Sequence, residues 1–167
     1  MTLIDTHAHI YYDDFTGRMD DVIRASANNG VEKIISIGVD LKSSEKCIKL
    51  AEKYKSVFAT CGIHPHEAEK APKGYLYELE QFYEHQKVVA VGEIGLDYHY
   101  DFSDRKTQRK IYHEQLEMAK SLELPTVVHC RESDDDILSG IQESGHNSGV
   151  IHCFASNLNF AEKILET

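Results

Sequence analysis

The sequence predicts an α/β fold, a (β/α) barrel of the TIM type, with the first six βα units present and the seventh and eighth absent from this chain. Three observations carry that expectation. Short runs rich in Val and Ile alternate with helical patterns along the whole chain. Each run is nearly continuous in hydrophobicity, the mark of a parallel strand covered on both faces. Five of the six runs end in a histidine or glutamate that could bind a metal ion.

The runs are TLIDTHAHI (2–10), KIISIGVD (33–40), SVFATCGIH (56–64), VVAVGEIGLD (88–97), LPTVVHC (124–130) and GVIHCF (149–154). Helical patterns fill the gaps. Met19, Val22, Ile23 and Ala27 have helical spacing, and Asn29-Gly30 supplies a stop. Cys47, Leu50, Ala51 and Tyr54 share a face of the second helix, and Leu76, Leu79, Phe82 and Tyr83 a face of the third. Ile111, Gln115, Met118, Ala119 and Leu122 form the inner stripe of a long helix starting near Ser103. Ser133 is expected to cap a fifth helix, with Asp134, Asp135 and Asp136 in its first turn where the helix dipole favours anions. Asn157 is expected to cap a sixth helix. No composition shift or linker divides the chain, so residues 1–167 read as one barrel domain.

Composition narrows the function. With 41% hydrophobic and 28% charged residues the chain is of ordinary globular type. A net charge of −10 argues against a surface that grips duplex nucleic acid through many cations, but not against a phosphate-bearing substrate met by bound divalent ions. No apolar run approaches the roughly 18 residues of a membrane span, and the N-terminus lacks a secretory pattern; a cytoplasmic protein is expected. Four cysteines without CxxC spacing are expected to be free thiols.

Repeated βα units fit either an open doubly wound sheet or a closed barrel. The polar residues choose. Asp5, His7 and His9 alternate along the first strand and are expected to project together. His64 and His66 follow the third strand, Glu93 ends the fourth, His129 and Arg131 the fifth, and His152 the sixth. In a barrel such strand ends converge on one mouth, whereas distant strands of an open sheet cannot bring ligands to one point. Each residue also has an ordinary reading: a hydrogen-bonded structural histidine, or a buried glutamate paired with an arginine. Five together on strand ends are better explained by a shared ion, because imidazoles and carboxylates are the donors a divalent transition metal takes. His85, His99, His113 and His146 fall on helices or loops and are expected to be solvated or packing residues.

On these residues the chain resembles the TatD-type metal-dependent deoxyribonucleases, a branch of the amidohydrolase-like barrels, from residue 2 to its end. The markers are DTHAH at 5–9, GIHPH at 62–66, GEIGLDYHYD at 92–101, LPTVVHCRES at 124–133 and IHCF at 151–154. The resemblance implies two divalent ions (Mg, Mn or Zn), one held by His7, His9 and a bridging Glu93, the other by Glu93, His129 and His152. It places His64 at the scissile phosphate, gives Glu93 and His64 the catalytic roles, and makes Arg131 a phosphate clamp. Asp97 and Tyr98 would shape the mouth or orient the ligands. The implied reaction is hydrolysis of DNA phosphodiester bonds at single-stranded or frayed ends. Glu93 stands where many related barrels carry a carbamylated lysine.

The resemblance also implies a late-strand aspartate that this chain does not reach before Thr167. Six strands are expected to leave the first and last as unpaired edges, completed by a second chain or a swapped segment, and activity of this 167-residue form is expected to be impaired. Two other readings share the same residues: a barrel hydrolase of small amides, lactones or phosphoesters, and an inactive metal-binding fragment.

Overall fold

Six strands form one parallel sheet in sequence order: β1 (Leu3–Ala8), β2 (Val31–Ile37), β3 (Val57–Cys61), β4 (Val88–Asp97), β5 (Thr126–Arg131) and β6 (Gly149–Ile151). The computed structural model describes residues 2–167, so Met1 of the 1–167 span lies outside the described residues. The connecting helices are α1 (Met19–Asn28), α2 (Leu41–Lys53), α3 (Tyr75–Tyr83), α4 (Arg105–Ser121) and α5 (Asp134–Ser144), with α6 (Leu158–Leu165) after β6. Neighbouring strands joined through helices curl the sheet into a partial TIM-type barrel. Among the described residues no helix is long and apolar enough to cross a membrane.

The core lies between the sheet and its helices. One cluster joins Ile34, Val57, Ala59 and Cys61 of β2 and β3 to Cys47 and Ala51 of α2 and Leu79 of α3. A second joins Val91, Ile94 and Leu96 of β4 to Tyr112 and Leu116 of α4, Ile137 of α5 and Phe160 of α6. Each Val, Leu, Ile or Phe side chain buried there contributes about 1.5–3 kcal/mol. The four cysteines are free thiols, as expected. Burial pushes the Cys47 thiol up to about 12, so it packs as a small neutral hydrophobe.

Several sequence expectations need correction. β1 is not a buried strand: Leu3 and Ile4 are 43% and 52% exposed, because β1 is an edge that pairs with β2 alone. Its pairing shifts between Asp5 and Ala8, which breaks simple alternation. The Asp5 carboxylate accepts a hydrogen bond from the His7 backbone N–H at 3.1 Å. β4 fills the whole expected run, Val88–Asp97, so Glu93 lies within the strand and not at its end. α4 is capped by Asp104, whose carboxylate accepts from the Lys106 and Thr107 N–H groups. Ser133 precedes α5 without capping it through its side chain; its hydroxyl donates to the Leu96 carbonyl at 3.0 Å. Asn157 does cap α6, accepting from Phe160 N–H at 3.0 Å.

Candidate metal centre

The long middle strand β4 places one carboxylate, Glu93, at the centre of five imidazoles. Its backbone N–H donates to the Gly38 carbonyl at 2.8 Å, which fixes the residue from the β2 side, and only 3% of it is exposed. From the first edge, His7 Nε2 and His9 Nε2 lie 3.4 and 3.9 Å from Glu93 Oε2. From the other strands, His152 Nε2, His129 Nδ1 and His64 Nε2 lie 2.7, 3.1 and 3.4 Å from Glu93 Oε1. One carboxylate oxygen thus faces the β1 histidines and the other faces those of β3, β5 and β6.

Burial alone would raise the Glu93 carboxyl, but contacts from His129, His152 and His64 outweigh it and hold the group far below the usual carboxylate range. Burial lowers His64 and His9, keeping both neutral and so able to present a lone pair. His129 is raised despite its burial, because Glu93 and Asp97 both face it. Imidazole nitrogens around an ionised carboxylate are a donor set that suits a divalent cation. In two triads the ligand atoms all lie within 4.8 Å of one another: His7, His9 and Glu93, and His64, Glu93 and His129. The resemblance sets His152 in the second group; in the structure His152 and His64 both stand against Glu93. The fit with an ion is sharpest at His7. Both of its ring nitrogens are buried with no hydrogen-bond partner, since its approach to Glu93 is not aligned for one. Buried polar atoms are seldom left in that state unless something else meets them.

Second partners fix the imidazoles. Asp97, at the end of β4, lies 3.0 Å from His129 Nε2 and 2.8 Å from His66 Nε2. Burial opposes its ionisation, but hydrogen bonds from the Tyr100 N–H, His66 and His129 bring its carboxyl down to about 2. A carboxylate that takes one ring N–H leaves the opposite nitrogen, Nδ1 of His129, as the lone pair facing Glu93. His9 is held through Nδ1 at 3.2 Å from the Ile37 carbonyl, and its ring stacks on Tyr12 at 5.3 Å. Replacing Asp97 with asparagine is expected to weaken divalent-ion binding by roughly 10–100-fold. The amide can still accept from the His99 and Tyr100 N–H groups, which confines the lost charge to the side of Asp97 that faces His129 and His66. Calorimetric titration with Mn²⁺ checks this, and an affinity within threefold of the parent's would refute it.

Sequence reading missed two supports. Gln108 and Gln115 on α4 are almost wholly buried. Gln108 accepts from the Asp97 N–H at 2.9 Å and donates to the Asp97 and Ser103 carbonyls. Gln115 accepts from the Ile63 N–H at 2.7 Å and donates to the Ile63 carbonyl at 3.1 Å, one residue before His64. Two amides thereby stitch the ends of β3 and β4 to the helix. An amide on an apolar helix stripe was the available signal, and only Gln115 was read as part of that stripe. Arg131 closes β5 at the mouth, its guanidinium 4.7 Å from the Tyr100 ring centre. His85, His99 and His113 lie beside Glu52, Glu132 and Glu143, and His146 is buried ahead of β6; none is among the imidazoles that face Glu93.

The TatD related DNase family profile matches residues 4–167. A Bacillus subtilis protein named "uncharacterized metal-dependent hydrolase YabD" is 31% identical over 166 residues, covering 98% of this chain and 65% of its own length. The "3'-5' ssDNA/RNA exonuclease TatD" of Escherichia coli is 28% identical over 154 residues, covering 91% of this chain and 59% of its own. The crystal structure of YjjV, a TatD homolog from Escherichia coli, superimposes with a TM-score of 0.92 at 34% identity, over 98% of this chain and 64% of that one. The chain therefore spans just under two thirds of the length of these relatives.

Proposed function

The chain belongs to the TatD related DNase family, a family of metal-dependent hydrolases. From that premise we propose that it takes part in hydrolysing DNA phosphodiester bonds at single-stranded or frayed ends, in the cytoplasm. The observation that carries the proposal is the single ionised carboxylate, Glu93, shared between two sets of imidazoles. In this reading His7, His9 and Glu93 hold one divalent ion, and Glu93, His129 and His152 hold a second, with Mg, Mn or Zn as the candidates. Two such ions supply an activated water near neutral pH and compensate the charge that grows on a phosphoryl oxygen.

The chain's own residues do the rest. Glu93 sets the spacing of the two histidine sets and keeps a net negative charge where cations are wanted. Asp97 orients His129. His64, neutral and mostly buried, is placed to hydrogen-bond a phosphate oxygen as it approaches Glu93. Arg131, always charged and presenting a planar fork of donors, meets the same phosphate or its neighbour at the mouth. A relative named as an exonuclease acting on ssDNA and RNA supports this substrate class. An acidic chain that engages a few terminal phosphates through ions also fits it better than broad duplex binding.

Purified protein incubated with Mg²⁺ or Mn²⁺ and an end-labelled single-stranded oligonucleotide is expected to release nucleotides, and EDTA is expected to stop the release. Turnover of a small ester or cyclic amide with no nucleotide release would overturn the nuclease reading.

A further inference from the structure

Beside the Glu93 cluster, the loop after β4 holds two aromatic rings out of the protein. Tyr100 and Phe102 are 48% and 62% exposed. Their rings are nearly parallel, 5° apart in plane with centroids at 5.3 Å. Folding gives no reason to expose two stacked rings, because water contact forfeits the gain of burying them. The loop is not loose either. The Asp97 carboxylate accepts from the backbone N–H groups of His99 and Tyr100 at 3.1 and 3.0 Å. Arg105 grips Asp101 through Nε and Nη2 and donates to the Tyr98 carbonyl. Ser103 is buried, and its hydroxyl accepts from the Glu69 N–H at 3.1 Å. The rings therefore project from a pinned support, and a ligand would not bear the entropy cost of ordering them.

The surroundings say what such a ligand is. The Arg131 guanidinium lies 4.7 Å from the Tyr100 ring centre, and among the described residues it has no hydrogen bond or ion pair. A flat apolar pair next to an unneutralised cation matches a ligand with a π-face joined to an anion. A nucleotide of a single strand is such a ligand, and base–aromatic stacking tolerates any base. The platform is also continuous with the proposed ion site. His66 meets Phe102 and Tyr100 edge-on at 4.7 and 5.7 Å, and it is joined to His129 through Asp97.

We infer that Tyr100, Phe102 and Arg131 form a nucleobase platform: an unpaired base stacks on the aromatic pair, its phosphate meets Arg131, and the adjacent phosphodiester reaches the Glu93 cluster. This rests on the phosphodiester reading of that cluster and adds to it the residues that hold an unpaired base. Bases buried in a duplex stack cannot lie on the rings without being extruded, so the platform selects single strands and frayed ends.

The test is binding of a phosphorothioate oligonucleotide, chosen to resist cleavage, in Mn²⁺, with 2-aminopurine at a terminal position as a reporter of stacking. The full chain is expected to quench the reporter. A Tyr100→Ala/Phe102→Ala variant is expected to lose the quench and to bind roughly 5- to 150-fold more weakly, the range that one lost base–aromatic stack spans. Its thermal unfolding is expected to match the parent's, since the rings are exposed, and Phe102→Trp in an otherwise unchanged chain is expected to keep the quench. Unchanged affinity and quench in the double variant would overturn the platform. So would a parent chain that binds an abasic strand as tightly as a base-bearing one, or that binds no single strand. A cleavable strand separates the two ideas. Stacking without nucleotide release leaves the platform standing and removes the hydrolysis reading; release with unchanged binding in the variant does the reverse.

Discussion

Changing Glu93 to glutamine is expected to abolish tight binding of both proposed divalent ions at once, and with it any phosphodiester hydrolysis. The substitution keeps the shape of the side chain and removes only its charge and one acceptor oxygen. Glu93 Oε2 faces His7 and His9, while Oε1 faces His64, His129 and His152. The neighbouring carboxylate Asp97 points elsewhere, to His66 and the far nitrogen of His129. No other charge can replace the missing one at the centre. Deleting one partner of a buried charged pair costs about 3–5 kcal/mol. At about 1.4 kcal/mol per tenfold, that corresponds to a loss of roughly 10²- to 10³-fold or more in ion affinity. Calorimetric titration with Mn²⁺ or Zn²⁺ checks the first consequence, and oligonucleotide hydrolysis the second. A Glu93→Gln protein that still holds two ions as tightly as its parent would remove Glu93 as the bridge. Loss of one ion with retention of the other would instead tie Glu93 to a single triad. Asp97→Asn gives the contrast, because it leaves Glu93 in place and disturbs only the imidazoles that Asp97 holds, His129 and His66.

That the histidines around Glu93 could be singled out from the sequence shows where such reading succeeds. Strand ends are written locally: apolar runs stop, and in a parallel barrel the residues at those stops converge. His7, His9, His129 and His152 were legible for that reason, and all four now lie around one carboxylate. What depended on a neighbouring strand was not legible. The run VVAVGEIGLD marks the whole of β4, but not which residues of β5 lie against it, among them His129 against Gly95. β1 slips against β2 between Asp5 and Ala8, a shift that alternation cannot foresee. Gln115 has only a place in the inner stripe of its helix, and Gln108 carries no signal of its own. Their role appears only when Asp97 and Ile63 arrive with backbone groups to be matched. Ser133 occupies a capping position, yet its hydroxyl is drawn to the Leu96 carbonyl of β4, a tertiary partner that outcompetes the helix end.

The same dependence on a neighbouring strand makes Gly95 the position where the smallest change is expected to do the most structural damage. Gly95 pairs with His129 across β4 and β5 and has a φ of +132°. A Cβ placed there would stand 2.0 Å from the His129 carbonyl oxygen and 2.9 Å from its carbonyl carbon and nitrogen, all backbone atoms with no rotamer to escape into. Relief requires β5 to move away from β4, which would break ladder hydrogen bonds and carry His129 off Glu93. Gly95→Ala is therefore expected to destabilise the chain by about 4 kcal/mol or more, the range of exceptional single substitutions. That is a large part of the roughly 5–15 kcal/mol by which domains are stable. At about 2–4 °C per kcal/mol for chains of roughly this length, the melting temperature is expected to fall by about 8–16 °C, or the protein to fail to fold. Gly17→Ala separates contact from conformation. Gly17 also has a positive φ, +76°, but an added Cβ there meets nothing within 4 Å. It carries only the backbone penalty of a left-handed L-residue, about 1–2 kcal/mol. Thermal unfolding of the two variants side by side decides the matter. If Gly95→Ala melts within a few degrees of Gly17→Ala, the close approach of β4 to His129 is not what the glycine provides. If it melts far lower, or cannot be recovered folded, the second glycine of GEIG is what lets the strand bearing His129 lie against the strand bearing Glu93.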